Sequence, residues 1–380
     1  MPTHGEYDRN VLMLAVGSAM AVGIIWFGYP LAVAALAMVF GRRAAPRVMA
    51  PRRVTVVIAT LDSLATVRAR VDDVFAADYP AELLDVVVGV DHQGGVDAYE
   101  LLRSSRVQIV AGDAPGGKAA TLNAAVRAAP GELLVFTDAA QRFERSTIRR
   151  LVDALSDPAL GAVSGALHIG RAGAPASLTE RYWRFEKWLR LQEARLHSTV
   201  GVTGAVYAMR RECWRPLPAG VILDDVYGPM DLVLRGFRVG FEPTAIAYDE
   251  RHFPPSQELR RKARTLTGVL QLCLWLPQVL VPWRNPLWVQ FLFHKLLRLA
   301  TPYLLVVTIA AGGAWLATGA GTGRPMVGTA ILLTLLAVAG LVVVAVPRAR
   351  HAVAMAAAMQ VAMVRATVNG LRGHWDVWSR

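Results

Sequence analysis

Four stretches of this chain carry no Asp, Glu, Lys or Arg for long enough to constrain everything else: 11–41, 265–283, 299–323 and 325–347. A bilayer core needs about 20 apolar residues per helix. A mean hydropathy of +0.36 over 380 residues excludes disorder and makes a simple cytosolic enzyme a poor description. Cys213 and Cys273 are too few for a disulfide framework.

The first apolar stretch, 11–40, is too long for the core of a cleaved leader and ends in no clear small-residue cleavage site. Arg42, Arg43, Arg47, Arg52 and Arg53 come directly after it. By the positive-inside tendency, 1–41 is a membrane anchor with its amino end outside, and the chain beyond residue 41 is cytoplasmic.

Residues 42–260 read differently. Charges return and apolar runs shorten to strand length, at 54–59, 84–90, 107–110 and 132–136. Helix-like segments lie between them at 63–77, 95–104 and 117–128. This alternation predicts an α/β domain of Rossmann type with a mainly parallel sheet. Ligands of such sheets sit at the carboxyl ends of the strands. Asp62, Asp91 and Asp138 each come just after a predicted strand. Any one of them could be a turn residue or a cap. Several at one edge point to a polar ligand. Gly116-Gly117-Lys118 is followed by Ala119-Ala120, so the hydroxyl of a nucleotide-triphosphate loop is missing, and no G-x-G-x-x-G comes after the first strand.

Seven segments in order carry a resemblance: the strand at 54–58, Val90-Asp91, Gly117-Lys118 through Asn123, Phe136-Thr137-Asp138, Val202 through Arg211, Leu223-Asp224-Asp225 with Gly236 beyond, and Gln257 through Arg261. The chain resembles membrane-bound family 2 glycosyltransferases, relatives of cellulose, hyaluronan and poly-N-acetylglucosamine synthases. The resemblance implies a GT-A-like fold and an inverting transfer from a nucleotide-diphosphate sugar, with a uridine donor suggested by Asp91. It implies Asp225 as general base. It sets Asp62, Asp91, Lys118, Asn123, Asp138 and Arg260 on the donor side, and Gly204, Asp224 and Gln257 on the acceptor side. It implies Mg²⁺ or Mn²⁺ at Asp138. The chain departs from the family twice. The second acid of D-x-D is Ala140, so a metal would take either His252 as a second ligand or more of the donor's phosphate oxygens and water, and the Trp of Q-x-x-R-W is Arg261.

The carboxyl-terminal third implies a multi-pass protein of the cell membrane. Pro277 and Pro282 break the first apolar stretch, so 265–298 is expected to lie at the interface. Two spanning helices are expected within 299–347, near 299–319 and 326–346. An interfacial helix and a cytoplasmic tail fill 348–380. The catalytic domain, 42–264, then faces the cytosol. Three crossings are few for a polymer channel. The acceptor is therefore expected to be lipid-linked or a membrane-proximal polysaccharide, or the chain works with an export partner or as a homo-oligomer. No nucleic-acid partner is implied. A processive synthase that secretes its own polymer is the alternative, and a degenerate nucleotide-sugar-binding scaffold is another.

Overall fold

The computed structural model describes residues 4–42, 49–170, 178–251, 254–319 and 346–375. In chain order, α1 is His4–Gly23 and α2 is Tyr29–Phe40, joined by a π-helical turn. Next come β1 (Val54–Thr60), α3 (Leu64–Phe75), β2 (Leu84–Val90), β3 (Val107–Ala111), α4 (Lys118–Ala128) and β4 (Leu133–Thr137). The second half of the sheet region holds β5 (Arg142–Phe143), α5 (Thr147–Ala154), β6 (Leu160–Ile169), α6 (Leu178–Leu196), β7 (Tyr207–Arg210), α7 (Asp224–Leu234) and β8 (Arg238–Asp249). The carboxyl-terminal helices are α8 (Pro255–Trp275), α9 (Trp288–Phe291), α10 (Thr301–Gly319) and α11 (Pro347–Leu371). Two compact units result. One is built from Ala32–Phe253 and Gln271–Leu292, the other from Met1–Leu31, Pro254–Leu270 and Phe293–His374.

Among the described residues, the sheet of the first unit has eight strands in the order β3-β2-β1-β4-β7-β6-β8-β5. The ladders β3–β2, β2–β1 and β1–β4 are parallel, as the alternation predicts. β1, β2 and β4 are buried along nearly their whole length, because helices cover both faces of such a sheet. This explains why they read as continuous apolar runs. β7 runs antiparallel to both β4 and β6, and β5 antiparallel to β8, so the sheet is mixed. Thr60 pairs with Val90 and Ile58 with Thr137. The carboxyl ends of β1, β2 and β4 therefore stand level, and the residues after them share one edge.

In the second unit, α1 lies along α10. Ser18 Oγ and Thr308 Oγ1 are 2.8 Å apart. Thr318 Oγ1 donates to Asp8 Oδ1 at 2.8 Å, and Trp26 Nε1 to Thr301 Oγ1 at 3.1 Å. Side-chain pairs of this kind hold apolar helices together where water is scarce. Among the described residues, three helices are long and apolar enough to cross a membrane: Glu6–Phe40, Trp288–Thr318 and Ala349–Leu371. The second is continuous from Trp288 and not only from 299. The third covers the segment expected at the interface, so its length also permits a crossing. The expected span at 326–346 lies outside the described residues, apart from its last one.

Candidate active site

The loop before α4 sets the first wall of the site. Gly116 and Gly117 adopt φ of +97° and +90°, a region that side chains with a Cβ rarely enter. The turn they make brings the Gly117 N–H onto Asp91 Oδ2 at 2.6 Å, while Gln93 N–H donates to Oδ1 at 3.0 Å. Asp91 is thus a buried carboxylate with both oxygens on backbone donors, shaping the loop that leads into α4. Asp62 lies exposed just past β1. Its backbone N–H donates to Thr60 Oγ1 at 2.8 Å, and its carbonyl accepts the Tyr99 hydroxyl at 2.5 Å.

The turn also launches α4 with Lys118 as its first residue. Lys118 Nζ lies 3.2 Å from Asp138 Oδ1 and 3.4 Å from Asp224 Oδ2. Burial pulls this ammonium down, but Asp138, Asp224 and Asp225 outweigh it and hold it above its ordinary value. One cation therefore ties the end of β4 to the start of α7. Asp224 and Asp225 occupy the first turn of α7, where the helix dipole favours negative charge. They stand inside the helix and do not cap it; the capping position is Leu223, whose side chain makes no cap bond.

Gly204 closes the cluster. A Cβ built on it would lie 3.5 Å from Lys118 Nζ and 3.7 Å from Asp225 Oδ2. The loop that carries it is pinned to α7, because Val202 N–H donates to the Asp225 carbonyl at 2.8 Å. Lys118, Asp138, Gly204, Asp224 and Asp225 are thus brought together from segments far apart in the chain.

Asn123 behaves differently from its expectation on the donor side. Its Nδ2 donates to the Leu217 carbonyl at 2.9 Å and its Oδ1 accepts the Leu217 N–H at 2.8 Å. Both ends of the amide fasten the 214–222 loop to α4. Gln257 and Arg260 lie in the first turns of α8, exposed and three residues apart, hence on one helix face. They belong to the other unit. His252 lies outside the described residues.

The structure adds residues that no motif announced. Arg70 on α3 is fully buried, with its guanidinium 3.9 Å over the Phe143 ring and an ion pair to Asp73. Burial pushes it down to about 10. Its Nη2 donates to Thr137 Oγ1 at 3.0 Å, directly before Asp138. Tyr207 stacks on Phe136 at 4.4 Å, and burial, followed by Asp224, Asp225 and Asp138, lifts its hydroxyl well above the ordinary value. The signal for Arg70 is its place in the helical pattern of α3: it falls between Val67, Val71 and Val74 on the buried face. A cavity of about 440 Å³ lined by Arg52, Glu132, Arg210 and Glu212 lies where β1 and β4 begin, away from these acids.

Whether the site fits a divalent cation turns on its oxygen donors. Among the described residues no three His, Cys, Asp or Glu side chains converge on a common point. Asp138 offers one carboxylate. Gln141, on the same connection after β4, holds a buried Oε1 with no hydrogen-bond partner. Mg²⁺ sites in particular use one or two carboxylates, substrate phosphate oxygens and water. The donor set fits a cation completed by a diphosphate.

The glycosyltransferase-like family 2 model matches residues 51–268. The chain belongs to this family, and it is a glycosyltransferase. A search of curated proteins gave no match. A mannosyltransferase from Pyrobaculum calidifontis, solved with GDP-Man and Mn²⁺, is 23% identical, with a TM-score of 0.70 over 95% of this chain and 99% of that one. The GT-A fold of the sheet unit is therefore shared. The glucosyl-3-phosphoglycerate synthase of Mycobacterium tuberculosis, solved with Mn²⁺ and UDP-glucose, is 19% identical, with a TM-score of 0.41 over 58% of this chain and 79% of that one. S. aureus TarS residues 1–349, solved with UDP, is 13% identical, with a TM-score of 0.40 over 57% and 65%.

Proposed function

We propose that this glycosyltransferase moves a sugar from a nucleotide-diphosphate donor to a hydroxyl of a lipid-linked or membrane-proximal polysaccharide acceptor, with inversion. The observation that carries the reading is the convergence of Asp138, Lys118 and Asp225 beside Gly204. Asp225 takes the proton as the acceptor oxygen attacks the anomeric carbon. The bond from that carbon to the diphosphate breaks, and the nucleoside diphosphate leaves. An alcohol is a weak nucleophile at neutral pH, so a carboxylate within reach of its proton is what the step needs. An α-linked donor would give a β-linked product.

Asp138 and Gln141 are the side chains that would hold Mg²⁺ or Mn²⁺. Such an ion neutralises charge building on the leaving diphosphate. Lys118 keeps Asp138 and Asp224 at a fixed separation and sets a positive charge at the same edge. Arg70 holds Thr137, and with it the start of the connection that carries Asp138. Asp91 shapes the donor loop, and a uridine donor remains the expectation from its position.

The test is release of nucleoside diphosphate by the purified chain from a panel of nucleotide sugars, with and without a detergent-dispersed polyprenyl phosphate or oligosaccharide. Release from one donor that rises with acceptor supports the reading. No release from any member of the panel would refute it.

The membrane reading places the sheet unit in the cytosol, where nucleotide sugars are made, with Met1 outside. Its support is the arginine-rich stretch after residue 41 and the three long apolar helices. Cysteines introduced at Thr3 and Ser379, with Cys213 and Cys273 replaced, separate the topologies. Thr3 should react with an impermeant thiol reagent in intact cells and Ser379 should not. Reaction at Ser379 would mean that α11 spans.

A further inference from the structure

Arg251 stands just beyond β8, and no motif in the sequence assigns it a role. Its Nε and Nη2 donate to Asp249 Oδ1 and Oδ2 at 2.9 and 2.8 Å, and its backbone N–H reaches Oδ1 at 3.1 Å. Asp249 is 7% exposed and Gln141 only 2%. Gln141 Nε2 donates to Asp249 Oδ2 at 2.9 Å. The seat of Arg251 is therefore buried and rigid, while its own side chain keeps 38% of its exposure.

The seat is joined to the Asp138 edge through the backbone. Arg142 pairs with Tyr248 and Phe143 with Ala247, which lays the connection after Asp138 along the last residues of β8. Arg142 Nη1 further donates to the Ala139 carbonyl at 3.1 Å and the Gln141 carbonyl at 2.8 Å, tightening that connection. The guanidinium lies within electrostatic reach of Asp138 and Asp62, both of which favour its charged form after the larger effect of Asp249.

This placement answers a difficulty of charge. Asp62, Asp138, Asp224 and Asp225 make the edge acidic, yet a diphosphate is a polyanion. Lys118 pairs with both Asp138 and Asp224 and offsets only one of their two charges. Ala140 stands where a second acid would help hold a metal ion. A guanidinium fixed by a two-pronged bond to a buried carboxylate has little rotamer freedom left to lose when its exposed part meets phosphate oxygens, and its permanent charge suits them.

We propose that Arg251 binds the diphosphate of the nucleotide-sugar donor, seated for that purpose by Asp249 and Gln141. The inference rests on the donor reading of the Asp138 edge given above.

The test uses the full-length chain in detergent with Mn²⁺. UDP and GDP are titrated calorimetrically, and uridine and guanosine binding is followed by ligand-observed NMR. Arg251→Gln should weaken the tighter diphosphate about 10- to 100-fold, as loss of a charge-assisted contact does. Arg251→Lys should fall between Gln and wild type, and nucleoside binding should not change. Because Arg251→Gln leaves Asp249 short of a partner, the double variant Asp249→Asn/Arg251→Gln is measured beside it, and it should show the same loss with a wild-type melting temperature. Diphosphate binding within about twofold of wild type in the Gln and double variants would overturn the proposal. So would an equal loss of nucleoside binding, which would make Arg251 a purely structural residue. If wild type binds neither diphosphate and turns over no nucleotide sugar, the donor reading fails first and this inference falls with it. Wild-type turnover with unaffected Arg251 variants overturns this inference alone.

Discussion

Lys118 Nζ lies 3.2 Å from Asp138 Oδ1, so the first residue of α4 is bound to the first residue beyond β4. The same ammonium reaches Asp224 at 3.4 Å. Replacing it with methionine keeps much of the volume and leaves two carboxylates facing each other. Lys118→Met should cost about 1–3 kcal/mol of stability, the penalty of leaving the buried Asp224 carboxylate without this partner. Turnover should fall further than donor affinity, because the spacing of Asp138 and Asp224 is lost as well as a charge. Thermal unfolding and steady-state kinetics check this. Wild-type kcat in the Met variant would show that the ammonium is only a structural tie.

Gly204 offers a cleaner separation of stability from activity. Its backbone is not in the left-handed region, and an added Cβ would make only ordinary contacts of 3.5–3.7 Å with Asp225 and Lys118. Gly204→Ala should leave stability unchanged or raise it by about 0.4–1 kcal/mol. The methyl would stand beside the Asp225 carboxylate, in the path of an acceptor hydroxyl. Acceptor KM or kcat should suffer by about 10-fold or more, since misplacement of a reacting group by an ångström is costly. Normal acceptor kinetics would place the acceptor elsewhere.

Activity should depend on Mg²⁺ or Mn²⁺ although Ala140 replaces an acid, because the diphosphate supplies oxygens of its own. Exhaustive chelation should abolish transfer, and either ion should restore it. Asp138→Ala should weaken metal-dependent donor binding, and Gln141→Ala should raise the metal concentration needed for half-activation. Full activity after chelation would contradict this.

The parallel half of the sheet was legible because burial on both faces writes itself as runs of Val, Ile and Leu, at 54–60 and 84–90 above all. The antiparallel half was not. β6 contains Gly161 and Gly165, where a Cβ would strike Leu232 at 2.8 Å and the Ala245 carbonyl at 2.5 Å. Those glycines are required by close packing, yet in sequence they read as loop. Acids after strand ends marked the site edge, since parallel register levels those ends. The partners of those acids were hidden. Lys118 gave no hint that it spans Asp138 and Asp224, and Asn123 sits in a motif-like segment while clasping Leu217. Arg70 and Arg251 take their meaning from contacts 67 and 2 residues away, and only the fold brings Thr137 to the first and buries Asp249 under the second.

The central claim is that Asp225 removes the acceptor proton. Asp225→Asn keeps size and shape and removes basicity, and the carbonyl that receives the Val202 N–H belongs to the backbone and is retained. The decisive measurement is kcat for sugar transfer by this variant beside its affinity for the nucleoside diphosphate. Transfer should fall by about 10²–10⁴-fold, the usual range for loss of a general base, with diphosphate affinity within a few-fold of wild type. Near-normal kcat in Asp225→Asn would contradict the account.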